Sequence, residues 1–139
     1  MNEQLENAAL IYTQQVAWGD MDALGHVNNV LYYRYIESAR IAYFNQVQLF
    51  DLNINAVVAS NQCKYIRPVF YPDILQIAVQ VVELRNSAFR MQYTLYSEQQ
   101  QQVVATAEAV VVCVDIEKMQ KISMPDVLKQ NIKNLNIKT

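Results

Sequence analysis

Apolar and polar residues alternate at every second position through most of the second half of the chain. The alternation is clearest in residues 74–85 and returns in residues 89–97, while residues 56–67 and 103–115 are strand-like and the last is rich in valine. A period of two directs apolar side chains to one face of a strand. Because few turn residues separate them, the four segments predict an antiparallel meander, and residues 10–17 predict an earlier short strand.

A repeat of three to four residues replaces this alternation in residues 28–46. Two apolar series with helical spacing run through the segment: Tyr32, Ile36, Ala39 and Tyr43, and Val27, Leu31 and Tyr35. Because apolar residues cover more than one stripe, we expect a helix that is buried nearly all round. The segment contains neither Gly nor Pro, and Asn28 or Asn29 suits its N-cap.

The predicted order is strand, long helix, four strands and a short helix from Pro125. A sheet that buries most of a helix has to curl around it. The expected fold class is therefore α+β, with a curved antiparallel sheet of about five strands wrapped around a long central helix, in a single domain over residues 1–139. The outer face of the sheet, carrying Val104, Val110 and Val112, would remain partly apolar, which favours association with another subunit.

Composition narrows the functional classes. Hydrophobic residues make up 53% and charged residues 17%, as in a globular chain, and the net charge of -2 argues against a nucleic-acid partner. No apolar run approaches the ~20 residues that cross a bilayer, and no secretory signal is visible at the N-terminus. We therefore expect a cytoplasmic protein without stable membrane insertion. Cys63 and Cys113 are expected to be free buried thiols, with a disulfide or a nucleophilic role as alternatives.

The chemically informative segment is WGDMDALGHVNN, residues 18–29. Both glycines of the chain, its single histidine and its single tryptophan lie within it. Glycine permits unusual backbone geometry, which ligand-binding loops require, although Gly and Asp are also common in ordinary turns. The segment carries Asp20 and Asp22 and leads directly into the predicted helix.

A helix N-terminus offers free backbone N–H groups and a partial positive charge. Such donors can hold an oxyanion, while a nearby carboxylate attacks a carbonyl or activates water. The alternative is that Asp20 and Asp22 only form the turn or cap the helix.

The segment closely resembles the Asp-x-Asp-x-x-Gly-His-Val-Asn-Asn motif of the 4-hydroxybenzoyl-CoA thioesterase-like group of hotdog-fold enzymes. The resemblance continues through the helix YYRYIESARIAYF and the segment KYIRPVFYPD, and covers about residues 11–120. It implies a hotdog fold and hydrolysis of acyl-CoA thioesters, or occasionally of acyl carrier protein thioesters. It also implies homodimers or homotetramers with active sites at the dimer interface, and no metal or organic cofactor.

The resemblance places the catalytic carboxylate at Asp22 and the oxyanion-binding backbone N–H near Asn28 or Asn29. Gly25 would let a ligand approach the backbone closely. His26 is a candidate general acid/base or ligand-positioning donor, and its alternative is a loop residue bonded to the backbone. A metal site built from the two acids and this histidine is a weaker alternative, since no fourth ligand is in sight.

Glu37 is the second candidate for the catalytic acid, because another branch of hotdog thioesterases uses a helix glutamate. Its alternative is a helix-surface ion pair with Arg34 or Arg40. Tyr32 is a candidate for the acyl pocket or simply for the core. Basic residues should bind the phosphates of coenzyme A, and each candidate could equally be a solvated surface charge. These candidates are Lys64, Arg67, Arg85 and Arg90.

The chain departs from some members of this group. The enzyme specific for 4-hydroxybenzoyl-CoA lacks the His-Val-Asn-Asn portion, and the Tol-Pal-associated relatives have His where this chain has Asn29. The chain is more similar to general fatty or branched acyl-CoA thioesterases. Two other functions stay open: a dehydratase acting on hydroxyacyl thioesters, and a non-catalytic acyl-CoA-binding module. The first normally pairs a His and an acid across the site, and the second has no use for Asp22.

Overall fold

The computed structural model describes residues 3–136 of the chain. The elements in chain order are α1 (Glu3–Glu6), β1 (Leu10–Gln15), α2 (Asn29–Gln46), β2 (Ile54–Tyr65), β3 (Ile74–Leu84), β4 (Ala88–Ser97), β5 (Gln102–Asp115) and α3 (Asp126–Asn136). Single 3-10 turns lie at Trp18–Asp20 and Leu49–Asp51. The predicted order of strand, long helix, four strands and C-terminal helix is confirmed, and the short α1 is an addition that the sequence pattern did not predict.

The five strands form one antiparallel sheet with the order β1-β3-β4-β5-β2. β3, β4 and β5 form a meander as predicted, but β2 pairs with β5 rather than with β3. The prediction of a four-strand meander was therefore wrong in its first pairing, that of β2 with β3. Alternation shows which residues share a face, whereas the choice of neighbouring strand depends on the path of the connection. Here residues 66–73 carry the chain from one edge strand to the other side of the sheet.

One face of the sheet packs against α2. The buried helix residues are Tyr32, Tyr35, Ile36, Ala39, Arg40, Tyr43 and Phe44. The prediction of a helix buried nearly all round was too strong, because an exposed stripe runs along its other side. Val30 is 70% exposed and Ile41 is 45% exposed on that stripe. A single sheet covers only the side of a helix that faces it, so apolar residues on the far side stay open.

Irregularities in three strand pairs bend the sheet around the helix. Bulges interrupt the ladders between β2 and β5, between β3 and β4 and between β4 and β5. The last bulge leaves Val104 without a partner on β4, and Val104 is fully buried. The expectation that Val104 lies on the outer face was therefore wrong, whereas Val110 and Val112 are half-buried. The rest of that face is mainly polar, with Gln62, Gln76, Gln80, Gln92 and Glu108.

α3 closes one end of the core. Leu128 and Ile132 are fully buried, and two asparagine side chains attach the helix to its neighbours. Asn131 Nδ2 donates to the Val47 carbonyl at 3.0 Å, and Asn136 Nδ2 donates to the Val81 carbonyl at 2.8 Å. Among residues 3–136, no helix combines the length and the apolar character that crossing a membrane would require.

Candidate active site

The loop between β1 and α2 is a tight structure held by its own backbone. After the turn at Trp18–Asp20, Met21 and Val27 form an antiparallel bridge. The Asp22 N–H donates to the His26 carbonyl at 2.9 Å, and the Gly25 N–H donates to the Asp22 carbonyl at 3.1 Å. Gly25 has a φ of 85°, in the region where a side chain is strained. The predicted need for glycine is confirmed at this position, and its cause is backbone conformation, since an added Cβ would meet no atom within 4 Å.

The two carboxylates of the motif have different partners. Asp20 Oδ2 accepts hydrogen bonds from the Ala17 N–H at 3.0 Å and from the Tyr35 hydroxyl at 2.5 Å. Asp22 Oδ1 accepts only from the Leu24 N–H at 2.8 Å. Within residues 3–136, Asp22 Oδ2 has no hydrogen-bond partner. Asp20 thus connects the end of β1 to the helix, while half-buried Asp22 keeps an oxygen available.

The first two asparagines of the helix also differ. Asn28 is the N-cap, and its Oδ1 accepts from the Val30 N–H at 3.0 Å. Its own N–H donates to the Asp20 carbonyl at 3.1 Å. The N–H of Asn29 has no acceptor among the described residues, and it lies at the positive end of an 18-residue helix. Of the two candidates for an oxyanion donor, only Asn29 therefore has an available backbone N–H.

A cleft of about 180 Å³ opens beside the helix start, lined by His26, Asn29, Tyr32, Tyr65, Ile66, Arg67 and Pro68. The Tyr65 hydroxyl donates to the Asn29 carbonyl at 3.1 Å, and the Tyr65 ring meets Tyr32 edge to face with centroids 4.9 Å apart. The His26 ring Nδ1 lies 3.2 Å from the Val27 carbonyl oxygen. The cleft is thus lined by the first residue of the helix, an aromatic wall and a cation. Asp22 belongs to the same loop but does not line this cleft.

The connection between β2 and β3, residues 66–73, is hydrogen-bonded to the loop between β1 and α2. The Val27 N–H donates to the carbonyl of fully buried Val69 at 2.8 Å, and the Tyr71 N–H donates to Met21 Sδ at 3.4 Å, across 50 positions of sequence. Two segments that lie far apart along the chain therefore meet at the helix start. Arg67 reaches the cleft because this connection passes there.

Other candidates lie elsewhere. Lys64 lines a separate depression on the outer face of the sheet. Arg90 pairs with Glu108 at 2.9 Å and with Glu83 at 3.2 Å on that same face, and Arg85 pairs with Glu83 at 2.8 Å. Of the predicted phosphate-binding residues, only Arg67 is brought to the cleft.

Glu37 and its neighbouring arginines do not form the predicted ion pair within the described part of the chain. Glu37 is exposed on α2, away from the buried side of the helix. Arg40 is instead buried, and its Nη1 donates to the Tyr93 hydroxyl at 3.2 Å. Helical spacing brings Glu37 and Arg40 near one another, but the tertiary environment decides where each side chain points. Here the aliphatic part of the Arg40 side chain packs in the core.

Burial keeps the phenols and thiols of this region protonated. Burial raises the pKa of Tyr32 to about 12. Burial also raises the pKa of Tyr35, and the hydrogen bond to the Asp20 carboxylate raises it further. The pKa of Cys63 is raised by burial as well. Both cysteines are free, which confirms the expectation of unpaired thiols; Cys113 is buried as expected, whereas Cys63 is only half-buried. A raised pKa does not suit a nucleophile.

Tyr35 and Tyr65 are contributors that the sequence analysis missed. Tyr35 was counted only as an apolar member of the helix, and Tyr65 lay unremarked at the end of a strand. For Tyr35 the available signal was the choice of Tyr over Phe at a buried position, since a buried hydroxyl requires a partner. Tyr65 is 39% exposed and gave no such signal. In the described range, no three His, Cys, Asp or Glu side chains come together in a group able to hold a metal ion.

A five-stranded antiparallel sheet bent around one long helix, with an acidic loop at the helix start, defines the hotdog class of thioester-processing proteins. The family model for the thioesterase-like superfamily matches residues 16–132, and the chain belongs to that superfamily. The predicted family and fold class are thereby confirmed.

Several relatives are similar over nearly the whole chain. The uncharacterized protein YsmA of Bacillus subtilis is 31% identical over 119 residues, covering 84% of this chain and 80% of that protein. The long-chain acyl-CoA thioesterase FadM of Escherichia coli is 27% identical over 119 residues, covering 83% and 90%. The crystal structure of a thioesterase from Thermus thermophilus, in complex with coenzyme A and zinc, is 28% identical, with a TM-score of 0.83 over 96% of this chain and 99% of that one.

Proposed function

We propose that this protein hydrolyses acyl-CoA thioesters, with Asp22 as the catalytic carboxylate and the Asn29 N–H as the oxyanion donor. The observation that carries the proposal is the division of roles in the loop. Asp20 is bonded to the helix through its carboxylate and occupies the Asn28 N–H through its carbonyl. Asp22 in the loop keeps one carboxylate oxygen without a partner among residues 3–136, and the N–H of Asn29, the first residue of α2, is likewise unbonded there.

The available groups suffice for hydrolysis in two ways. As a general base, Asp22 takes a proton from water while the water oxygen bonds to the thioester carbonyl carbon. The Asn29 N–H stabilises the oxyanion, the C–S bond breaks, and the coenzyme A thiolate leaves and is protonated. As a nucleophile, Asp22 forms an acyl anhydride that water then cleaves. Both routes give free acid and coenzyme A, and oxygen-18 placement in a single turnover distinguishes them.

The cleft supports binding of a coenzyme A thioester. Tyr32 and Tyr65 offer an apolar wall for the acyl side, and Arg67 offers an exposed cation for a phosphate. Two relatives support the same substrate class: FadM is a long-chain acyl-CoA thioesterase, and the Thermus thermophilus thioesterase was crystallised with coenzyme A. An acyl carrier protein thioester carries the same pantetheine arm and is the second substrate form to test.

Hydrolysis is favoured over dehydration by the way in which His26 is held. Its carbonyl accepts the Asp22 N–H within one small turn. A dehydratase needs its acid and its base on opposite sides of the substrate, and two residues of one turn do not provide that arrangement.

A second copy of the chain would complete the site. β2 lies at the sheet edge and has only β5 as a neighbour in the described sheet. Tyr65 and Ile66, which continue from that edge into the cleft, are 39% and 49% exposed. Asp22 does not line the cleft of a single chain, and a partner subunit docked along β2 would enclose Asp22 and the cleft in one site. The assembly would be a homodimer or a homotetramer of such dimers. Light scattering measures the oligomeric state at the concentration of the activity assay. A protein that is monomeric and fully active under those conditions would contradict this part of the proposal.

The experiment that tests the function is thiol release from a panel of acyl-CoA thioesters. Asp22→Asn should lower kcat by about 100-fold or more, the scale of a positioned base or nucleophile. Asp51→Asn is the matched control, since Asp51 is an exposed acid in a turn remote in sequence from the loop. Equal rates for wild type and Asp22→Asn would remove Asp22 from the mechanism.

A further inference from the structure

We infer that Asp20 and Tyr35 form a positioning pair, in which the hydrogen bond between a buried helix phenol and the first acid of the motif holds Asp22 and the Asn29 N–H in their working arrangement. This inference rests on the proposed hydrolysis and adds two residues that would act through others without touching the substrate.

The pair joins three elements at one carboxylate oxygen. Tyr35 lies in the second turn of α2 and is 3% exposed. Its hydroxyl donates to Asp20 Oδ2 at 2.5 Å, and the same oxygen accepts the Ala17 N–H at 3.0 Å, just beyond β1. Hydrogen bonds to a carboxylate are shorter and stronger than neutral ones. The end of β1, the loop and the helix are therefore fixed relative to one another at this atom.

Anchoring Asp20 by its side chain also directs its backbone. The Asp20 carbonyl accepts the Asn28 N–H at 3.1 Å. This bond occupies one of the unsatisfied N–H groups at the helix start and leaves the next one, on Asn29, unbonded within residues 3–136. The position of the Asp20 side chain therefore decides which N–H of the helix is available.

The same anchor controls the position of Asp22. Only Met21 separates the two acids, and the Asp22 N–H is bonded across the turn to the His26 carbonyl. A shift of Asp20 would therefore be passed on to the catalytic carboxylate through two peptide units. A displacement of about 1 Å in a catalytic group can cost on the order of 100-fold in rate, so a rigid anchor has a direct catalytic use.

The phenol remains a donor under working conditions. Burial raises the pKa of Tyr35, and the neighbouring Asp20 carboxylate raises it further. The hydroxyl therefore stays protonated well above neutral pH. Besides Asp20, which accepts the Tyr35 proton, the titratable groups around it are Tyr32 and Arg34, and neither of these accepts that proton in the described hydrogen bonds.

Tyr35→Phe removes the hydroxyl and keeps the ring in the core. Tyr43→Phe is the matched control, since Tyr43 is a fully buried phenol of the same helix whose hydroxyl donates to Asn136 Oδ1 at 3.4 Å, at the opposite end. We expect Tyr35→Phe to lower kcat by about 10-fold or more while KM changes little. Tyr43→Phe should leave both constants near wild type. Both variants should lose stability in urea, and Tyr35→Phe should lose more, because its hydroxyl bonds to a carboxylate whereas that of Tyr43 bonds to a neutral amide.

Two further measurements separate positioning from general destabilisation. In the Asp22→Asn background, Tyr35→Phe should cause almost no additional loss, because it acts through Asp22. Amide hydrogen exchange at Asn28 should be about 10-fold faster in Tyr35→Phe than in Tyr43→Phe, since the Asp20 carbonyl that protects it is released.

The outcomes distinguish the inference from the function on which it rests. Loss of activity in Asp22→Asn with equal kcat in Tyr35→Phe and Tyr43→Phe would overturn the positioning role alone. Full activity in Asp22→Asn would overturn the proposed catalytic role of Asp22, and absence of thiol release in wild type would overturn the proposed hydrolysis itself. In either case unchanged Asn28 exchange in Tyr35→Phe would overturn the structural part of the inference as well.

Discussion

The Tyr65 hydroxyl donates to the Asn29 carbonyl at 3.1 Å and so attaches the sheet edge to the first turn of α2. The two residues are 36 positions apart in sequence. Their contact places an aromatic ring beside Asn29 in the wall of the cleft and makes the position of the helix start depend on β2.

Replacing Tyr65 with phenylalanine should loosen this attachment. We expect a loss of about 1 kcal/mol in the free energy of unfolding, the usual contribution of one hydrogen bond, and a several-fold fall in kcat/KM. Urea unfolding and the thiol-release assay measure the two effects. Tyr71→Phe is the control, because Tyr71 is exposed and its hydroxyl has no described partner. Equal behaviour of the two variants would show that the Tyr65 bond has no functional role.

The two glycines of the loop should respond differently to alanine. Gly25 has a φ of 85°, whereas Gly19 does not have positive φ, and neither is crowded. Gly25→Ala should therefore cost about 1 kcal/mol or more and lower activity, because alanine resists that backbone conformation. Gly19→Ala should be neutral or slightly stabilising, since alanine reduces the entropy of the unfolded chain. Thermal unfolding of both variants tests this, and a neutral Gly25→Ala would contradict it.

Stability should fall at alkaline pH. The pKa of Tyr32 is raised from 10.0 to about 12, and a raised pKa means that the folded state holds the proton more tightly than the unfolded state. The contribution is complete below pH 10 and is lost as the pH rises through the folded value of about 12. Urea unfolding at a series of pH values should show this decline, and Tyr32→Phe should reduce it. Titration of all tyrosines near their usual pKa would refute the expectation.

Arg67 and Arg90 offer a paired test of phosphate binding. Arg67 lines the cleft, while Arg90 is held by Glu83 and Glu108 on the outer face of the sheet. Arg67→Ala should raise the KM for acyl-CoA by about fivefold, the scale of an exposed charge contact, and the effect should shrink at high salt. Arg90→Ala should leave KM unchanged. A rise in KM for Arg90→Ala alone would place the phosphates on the other face.

Much of the fold was predictable because its signals are local. The alternation in residues 74–85 and the helical repeat ending at Gln46 each depend on neighbouring positions, and both elements form where predicted. The pairing of β2 with β5 was not predictable in this way, since it depends on how residues 66–73 cross the molecule. The burial of Arg40 and Val104 likewise depends on contacts with distant segments.

The candidate site likewise has features that could be predicted from the sequence and features that could not. The motif identified the loop, and the resemblance that it carries placed the catalytic role on Asp22, because the spacing of acids, glycine and asparagines is written along the chain. Composition and periodicity alone could not separate Asp20 from Asp22 or Asn28 from Asn29, since two residues of one type in one short segment have the same chemistry until their partners are known.

By itself the sequence determined the elements, the family and the loop, because each is encoded by residues close together along the chain. Only the tertiary structure decided which acid is bonded to Tyr35, which N–H remains available and which arginine reaches the cleft. The physical reason is that hydrogen-bond partners and burial are properties of packing: Tyr35, Tyr65 and Arg67 acquire their roles from segments that folding brings together.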